Sequence, residues 1–398
     1  MAKRLAIPSK ELQLGVVGPR DFLIFPRVQR IGMDTTKNVT DVDEHGNPRH
    51  AGTVVDIPET TVTFSAFDVG VKIFAILTGT DPNAYPTSGV DISRLSEADA
   101  VLYVKDPAVS DYAKSAHGRR MQIRDFTFTY NVDGESTEDY TLVGSEKRWF
   151  KYDVVIDKFT TGTTSFTLSN TPLQLKNGNY LLSVILDGQY LTETTGAPGA
   201  NEYSITGTAL TTGTARTSQV IVVYHANPSG NNWSDVNDTT MPAAIRGQDV
   251  KIVISAENIS RVQSVTINGN LRPEPVREMG SRTVIGYQKQ VPTVDGTITV
   301  LDTDLELISL LTTGSLNSSD VEYSIDTTDC TISGFSLKIE LVDPCDVTPP
   351  YTVLKTVYIP NIMIVGDSFA SNINGNATQT FNFRSSTAEC IVYSGAMM

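Results

Sequence analysis

The stretch "NVDGESTEDYTL" (Asn131–Leu142) has the pattern of a β-hairpin. Asp133 and Gly134 form a dipeptide that favours a type I′ turn, in which both central residues have positive φ. The segment after the turn alternates polar and apolar residues, as expected for a strand with one buried face. A second stretch, "NINGNATQTFNF" (Asn372–Phe383), has the same outline. The sequence therefore predicts the same hairpin twice.

The two stretches match without a gap at a spacing of 241 residues. One Asn, a Gly, a Thr and an aromatic residue recur in the same order. The positions that define this hairpin repeat are Asn131, Gly134, Thr137 and Tyr140 in the first stretch, and Asn372, Gly375, Thr378 and Phe381 in the second.

The repeat extends upstream of the hairpins. Arg27-Val28-Gln29 recurs as Arg261-Val262-Gln263, a spacing of 234 residues. The same spacing relates two strand patterns, "TTVTFSA" (Thr60–Ala66) and "GTITVL" (Gly296–Leu301). Since internal repeats decide an architecture before any single element does, we interpret the chain as an old tandem duplication.

Each copy continues with the pattern of a short helix, "DVGVKIFAILTG" (Asp68–Gly79) or "DTDLELISLLTTG" (Asp302–Gly314). The leading Asp is a candidate N-cap, and the final Gly suits the left-handed position that ends a helix. Apolar residues three and four apart predict one buried stripe against a sheet. The predicted fold is mainly β, with two duplicated β-sandwich or barrel domains that each carry a short α-helix.

Between the copies, Phe159 to Tyr224 holds four or more strand patterns separated by turn residues, which predicts a small Ig-like β-sandwich. The polar stretch from His225 to Pro242 has the composition of a linker. We therefore expect three domains, at residues 1–157, 158–227 and 228–398.

The charge balance argues against a protein that grips nucleic-acid phosphates. The chain has 45 acidic and 31 basic residues, a net charge of −14, whereas such proteins carry basic faces. From Asp295 to Asp346 there are eleven acidic residues and one base, Lys338. Such a segment repels polyanions or simply keeps the protein soluble.

The three cysteines have no CxxC spacing, so neither a disulfide scaffold nor a zinc site is expected. Free, buried thiols in a reducing compartment are the simpler interpretation. The first ten residues lack the apolar core of a signal peptide, and no apolar run reaches the ~18 residues of a membrane span. We expect a protein that is made and assembled in the cytosol, with no membrane partner.

The sequence offers little catalytic chemistry. His45 and His50 lie near Asp41 and Asp43, but a solvated loop explains them better than a metal site. Carboxylates are abundant, yet nothing singles out a glycosidase-like pair. We predict no enzyme activity, no cofactor and no metal.

A small basic cluster, Arg119, Arg120 and Arg124, is predicted at the start of a strand. Two interpretations are open for it: ion pairs with acidic neighbours, or a subunit contact.

Two long charged excursions, Asp34–Thr53 and Asn268–Tyr287, connect strands in each copy. They are much longer than a usual hairpin loop, and such loops are commonly functional. Either they dock onto another subunit or they fold back on their own domain. The charged candidates are Asp41, Asp43, Glu44 and Arg49 in the first, and Arg272, Glu274, Arg277 and Glu278 in the second.

The order of strand, "LELISLLTTG"-type helix, long charged hairpin and closing "NINGNATQTFNF"-type hairpin resembles the bacteriophage tail tube fold. The resemblance covers most of residues 15–152 and 243–396, and the segment Phe159–Tyr224 is similar to Ig-like modules of phage structural proteins.

The resemblance implies a virion protein of the tail, assembled in the host bacterial cytoplasm. Six tube domains would close each ring, so two domains per chain imply stacked trimeric, pseudo-hexameric rings. The eight charged loop residues would then contact the neighbouring ring. Implied partners are other copies, tail terminator and baseplate hub proteins, and a sheath where the tail has one; DNA would pass without specific binding.

Two rival functions are left open. One is a baseplate hub or tail-completion protein with the same paired domains. The other is a β-rich adhesin or glycan-active protein, for which Trp233, Tyr180, Tyr190 and Tyr203 are the only support.

Overall fold

The computed structural model describes residues 12–46, 48–67, 70–79, 89–92, 95–106, 111–160, 163–213, 219–227, 244–255, 257–259, 261–280, 284–301, 308–310, 334–346, 349, 351–371 and 376–397. The described chain is mainly β, as the composition predicts. None of its helices has the length and apolar character needed to cross a membrane.

The region from 12 to 150, called the N-terminal half below, forms eleven strands and one helix in the described residues. Its elements are β1 (Leu12–Val17), β2 (Phe22–Ile24), β3 (Val28–Thr36), β4 (Val39–Val42), β5 (Gly52–Val55), β6 (Glu59–Ala66), α1 (Lys72–Thr78), β7 (Val90–Asp91), β8 (Ala98–Asp106), β9 (Asp111–Asn131), β10 (Thr137–Gly144) and β11 (Glu146–Phe150).

Strand β9 organises this half because it takes part in two sets of pairings. Its first part pairs with β8 and β11. On the far side of β8 lies β1, which in turn pairs with β2. Its second part pairs with β10, which is followed by β6 and β3. Arg120, with φ of 50°, lies between the two parts. A left-handed residue there lets a 21-residue strand change direction.

The middle segment, residues 153–226, folds into two four-stranded sheets. Buried side chains from both sheets, such as Phe166, Leu210 and Val222, pack into one cluster, so the sheets face each other. Strand β12 crosses the expected boundary at 157/158. The sheet orders are β12-β19-β14-β15 and β13-β18-β17-β16, with β12 (Asp153–Thr160), β13 (Ser165–Thr167), β14 (Leu181–Leu186), β15 (Gln189–Tyr190), β16 (Thr192–Glu193), β17 (Glu202–Thr206), β18 (Ala209–Thr212) and β19 (Gln219–Ala226).

The C-terminal half, residues 250–394, is also built mainly of strands. After a 3₁₀ turn at Gly247–Asp249 come β20 (Val250–Ile254), β21 (Glu257–Asn258), β22 (Val262–Asn270), β23 (Pro273–Val276), β24 (Gly286–Lys289), β25 (Thr293–Leu301), β26 (Phe335–Val342), β27 (Val353–Ala370), β28 (Thr378–Ser385) and β29 (Ile391–Ser394). The long strand β27 pairs with β26 and β29 along its first part and with β28 along its second.

The pairing registers of the two halves coincide under the sequence spacings of 234 and 241. In the N-terminal half, Ile31, Phe64 and Tyr140 are cross-strand neighbours in β3, β6 and β10. In the C-terminal half, the corresponding neighbours are Val265, Ile298 and Phe381 in β22, β25 and β28. The alternation predicted for "DYTL" and "TFNF" is confirmed, since Tyr140, Leu142, Phe381 and Phe383 are all buried.

One hydrophobic cluster runs through both halves, so they do not have separate cores. It includes Phe74 of α1, Phe128 of β9, Ile267 of β22 and Phe383 of β28. Burying such side chains contributes about 1.5–3 kcal/mol each. The two halves are therefore held together by the same apolar contacts that hold each sheet in place.

Several local predictions are wrong. Helix α1 begins at Lys72 with Val71 as its N-cap, not at Asp68, although Gly79 ends it in the left-handed conformation with φ of 74°, as predicted. Only Gly134 of the first turn has positive φ, so this turn is not type I′. The predicted linker begins after β19, which includes His225. Cys390 is buried as expected, but Cys345 is exposed.

The turn prediction fails because the loop after β9 bonds to the other half of the chain. Val132 donates its N–H to the Gln263 carbonyl at 2.8 Å, and Ser136 donates to the Ile245 carbonyl at 2.8 Å. A two-residue turn would leave no such extended backbone between the strands.

Candidate assembly interfaces

The second part of β9 is paired on both sides. One neighbour is β10 of its own half. The other is β22, the strand of the C-terminal half that corresponds to β3. The β9–β22 pairing, called the internal seam below, runs antiparallel from Ser264 opposite Asn131 to Asn270 opposite Asp125. Thr127 Oγ1 donates to Asn268 Oδ1 across it at 3.1 Å.

A buried ion pair lies beside the internal seam. Lys355 of β27 bonds to Glu138 of β10, and both side chains are fully buried. Tyr140 donates its hydroxyl to the other carboxylate oxygen of Glu138 at 2.5 Å. The Lys355 ammonium also lies 5.0 Å from the ring centres of Phe74 and Phe128. Since an unpaired buried charge is costly, these contacts fix how the two halves meet.

The hairpin β23–β24 lies against the N-terminal half. Lys289 donates to the Leu95 carbonyl at 2.6 Å, and Arg120 donates to the Ile285 carbonyl at 3.0 Å. Arg277 pairs with Asp56 at 2.9 Å. The N–H of Ile57 and Arg277 both hydrogen-bond to the Asp56 carboxylate and hold its pKa below the usual value. The second long excursion is thus docked within its own chain.

The hairpin β4–β5 has the corresponding register but not the corresponding contacts. Val39 is opposite Val55, as Pro273 is opposite Lys289 in β23–β24. All its strand residues are exposed, and Val39 and Val55 are each 56% exposed. His50 bonds to Asp43 at 2.6 Å within the excursion. The long excursions are therefore confirmed as hairpins, and the second is seated on other elements.

Several strands of the described residues pair on one side only, and two of them are relevant to assembly. Strand β3 pairs with β6 on one side only, and the second part of β27 pairs with β28 on one side only. These are the two strands whose counterparts, β22 and β9, form the internal seam. Phe369 on β27 is 59% exposed, whereas its counterpart Phe128 is fully buried.

Some residues of the predicted hairpin repeat lie together in the structure, and so do some of the charged candidates. Asn131, Thr137 and Tyr140 belong to the strands beside the internal seam, Gly134 to their turn, and Thr378 and Phe381 to β28. Asn372 and Gly375 lie outside the described residues. Among the charged candidates, Asp41, Asp43, Glu44, Arg49 and Glu278 are exposed, Arg272 precedes β23, Glu274 bonds to Gln290, and Arg277 pairs with Asp56.

The middle segment covers the outer face of the N-terminal sheet. Val17, Val101 and Tyr103 pack there against Ile185 and Val223. The face on the C-terminal half that corresponds to it borders an open groove of ≈ 940 Å³, lined in part by Lys251, Lys338, Ser336 and Tyr358.

A buried polar network fastens the middle segment to the outer face of the N-terminal sheet. Asp99 accepts hydrogen bonds from the Arg120 N–H and the Tyr190 hydroxyl, both at 2.9 Å, and contacts His117 Nε2 at 2.9 Å. Burial alone would raise the pKa of Asp99, but His117 and the Arg120 N–H together hold it below the usual value. Burial beside Asp99 also raises the pKa of Tyr190. The carboxylate therefore stays charged and fully bonded.

Two of the three residues of the basic cluster form ion pairs, and the Arg119 guanidinium lies 6.0 Å from the centre of the Tyr190 ring. Arg120 pairs with Glu97 at 2.6 Å, and Arg124 pairs with Glu59 at 3.1 Å and Asp125 at 2.9 Å. The cluster lies in the middle of β9 rather than at the start of a strand. In the described residues, no group of three or more His, Cys, Asp or Glu side chains is arranged to hold a metal ion.

Sequence reasoning missed the Lys355–Glu138 pair and the joining of the two halves through β9 and β22. A signal was present, since Glu138 matches the neutral Gln379 at the 241-residue spacing. A charge that only one copy carries marks a contact that only one copy makes. Comparison with protein-family models and with curated proteins finds no match for this chain.

Proposed function

We propose that this chain is a structural protein that joins to copies of itself, β27 of one chain pairing with β3 of the next, until a ring closes. The observation that carries the proposal is the internal seam, whose strands β22 and β9 correspond to two strands with open edges, β3 and the second part of β27. An open β-edge invites pairing with another chain, and a contact between two different surfaces closes into a ring when its rotation allows.

The internal seam also supplies the register of the proposed contact. Thr127 is opposite Asn268, and Phe128 is opposite Ile267. The spacings of 241 and 234 residues turn these pairs into Ser368 opposite Asp34, and Phe369 opposite Met33, of the next chain. Phe369 would thereby gain the buried environment that Phe128 already has.

We propose further that the halves are duplicated tail-tube-like domains and that the middle segment is an Ig-like insertion. The common registers and the excursions at one position in both halves support this. Six such halves per ring correspond to three chains, a pseudo-hexameric ring, and stacked rings would form a phage tail tube with a channel for DNA. A virion tail is then the place of action, and the role needs no catalysis.

The adhesin alternative has lost most of its support. Tyr203 is buried in the sandwich core, and Tyr190 is bonded to Asp99, so both have structural roles. Tyr180 is exposed, while Trp233 lies outside the described residues. A baseplate hub would use the same ring contact and differs only in not forming long tubes.

Disulfide trapping tests the proposed ring contact. Directly opposed residues in antiparallel strands have Cα atoms about 4.5–5.5 Å apart, within the range of a disulfide. We expect Ser368→Cys with Asp34→Cys, in a Cys330→Ser/Cys345→Ser background, to give a covalent closed trimer on oxidation. Either cysteine alone should give none.

A register control sharpens this test. Ser368→Cys combined with Thr36→Cys places the thiols two residues out of register, beyond disulfide reach, so linkage should fall strongly. Equal linkage in both variants, or a purified protein that remains monomeric at every concentration, would overturn the ring proposal. Electron microscopy of the same sample then separates tubes from isolated rings, which would indicate the hub.

A further inference from the structure

One face of β23–β24 makes the contact with the N-terminal half. Pro273 and Lys289, which are opposite each other, border the same small cavity as Gln122 and Ile123 of β9. Pro275 and Tyr287, the next opposed pair on that face, border a second cavity. Arg124, Ile57 and Val143 line its other side.

The corresponding face of β4–β5 consists of Val39, Val55, Asp41 and Thr53, with Thr40 and Val54 on the opposite face. Neighbouring residues of a strand point to opposite sides. The two faces of this hairpin can therefore be distinguished by experiment.

The surface that β4–β5 would meet on another chain follows from the same spacings. Gln122, Arg124 and Ile57 of the N-terminal half correspond to Met363, Val365 and Val291 of the C-terminal half. Val365 is 64% exposed and Val291 is 78% exposed. Val143 corresponds to Arg384, which is exposed and opposite Met363 in the sheet. We call Val291, Met363, Val365 and Arg384 the receiving patch.

We propose that β4–β5 docks on the receiving patch of a second copy of this chain, with Val39 and Val55 against Met363 and Val365. The proposal rests on the ring assembly proposed above, and it places this hairpin between chains of one ring instead of between stacked rings. Asp41 and Asp43 would then lie near Arg384.

The side-chain chemistry of the two surfaces matches. Val55 takes the place of Lys289, and Val365 takes the place of Arg124, so each surface carries a valine where its counterpart inside the chain carries a cation. Exposed valines on both members of a pair are costly in water, and their mutual burial is favourable. The opposite charges of Asp41 and Arg384 favour the same orientation.

Cross-linking with a short bifunctional maleimide tests the docking, in the same cysteine background. Val39→Cys with Val365→Cys should link neighbouring chains up to the trimer. Val54→Cys with Val365→Cys is the matched control, because Val54 is equally exposed, at 60%, but lies on the other face. We expect at least a tenfold difference in linked product between the two variants.

The outcomes separate this inference from the ring itself. If Ser368→Cys/Asp34→Cys links but Val39→Cys/Val365→Cys does not, or if Val54→Cys links as well as Val39→Cys, the docking is wrong and the ring stands. If neither pair links, the docking falls together with the ring.

Discussion

The internal seam and the open edges have the same backbone plan but different side chains. At the seam, Gly269 is opposite Phe126, and Lys355 bonds to Glu138. The corresponding residues are Thr35 and Asp367 on the open-edge strands β3 and β27, and Lys114 and Gln379 on β9 and β28. A joint made once within the chain and a joint proposed between chains are thus chemically distinct, and such differences keep one from replacing the other.

The largest effect is expected at the buried ion pair of the seam. Lys355→Met leaves Glu138 charged and unpaired, which costs about 3–5 kcal/mol of stability. Urea denaturation followed by fluorescence measures this loss. Adding Glu138→Gln should restore most of it, because the counterpart position already carries Gln379.

Lys114→Met is the matched variant, since Lys114 of β9 is the exposed counterpart of Lys355. Its effect on the stability of the single chain should stay within about 0.5 kcal/mol. Equal losses at Lys355 and Lys114 would contradict the distinction between the two joints.

A second comparison is between the outer face of the N-terminal sheet, which the middle segment covers, and the corresponding face of the C-terminal half, which is open. Asp99→Asn should cost about 2–3 kcal/mol near neutral pH, because hydrogen bonds to a charged group contribute roughly 1.5–3 kcal/mol. The pKa of Asp99 is lowered, so its contribution is present above the unfolded-state pKa and is lost as pH falls through the folded-state value.

Thermal unfolding at a series of pH values checks the sign. At pH values under about 4, the melting temperature of the wild-type protein should decrease. The Asp99→Asn protein should lose part of this acid dependence. Ser336 is the uncovered counterpart of Asp99, since Phe335 is opposite Ile362 as Ala98 is opposite Met121. Ser336→Ala should leave the pH profile unchanged. If the melting temperatures of the wild-type and Asp99→Asn proteins changed in parallel with pH, Asp99 would not be the acid-sensitive group.

A smaller effect is expected from the close approach of strands at the seam. A Cβ added at Gly269 would lie 1.9 Å from the Phe126 ring. Gly269→Ala should therefore cost about 1–3 kcal/mol through overpacking. Thr35→Ala, at the counterpart in β3, should be nearly neutral by the same denaturation assay. A neutral Gly269→Ala would show that Phe126 can move away freely.

The smallest effect on stability is expected at the open edge, together with complete loss of assembly. Phe369→Lys places a charge on an exposed edge strand, which natural sheets use to prevent pairing. The unfolding midpoint should not change, while light scattering after gel filtration should show monomers. Tyr180→Lys, an exposed aromatic of the middle segment, should assemble normally, and assembly of Phe369→Lys would argue against pairing through β27.

The repeat in the sequence predicted most of the elements that define these interfaces. Local patterns sufficed for Thr60–Ala66, for the alternation around Tyr140 and for both long excursions, because each depends on residues close together in the chain. The turn at Gly134 was missed, because contacts with distant residues decide it, and no local pattern placed the start of α1 at Lys72. No local pattern could show that β22 pairs with β9, since a strand edge carries no mark of its partner.

The continuity of β9 across the molecule has a consequence for how assembly depends on concentration. Joints within a chain form at any dilution, because their two sides are covalently linked. Joints between chains obey mass action and form only when chains meet often enough. With one joint of each kind per chain, folding alone completes half of the contacts around the proposed ring. Three joints between separate chains, instead of six, then suffice to close it.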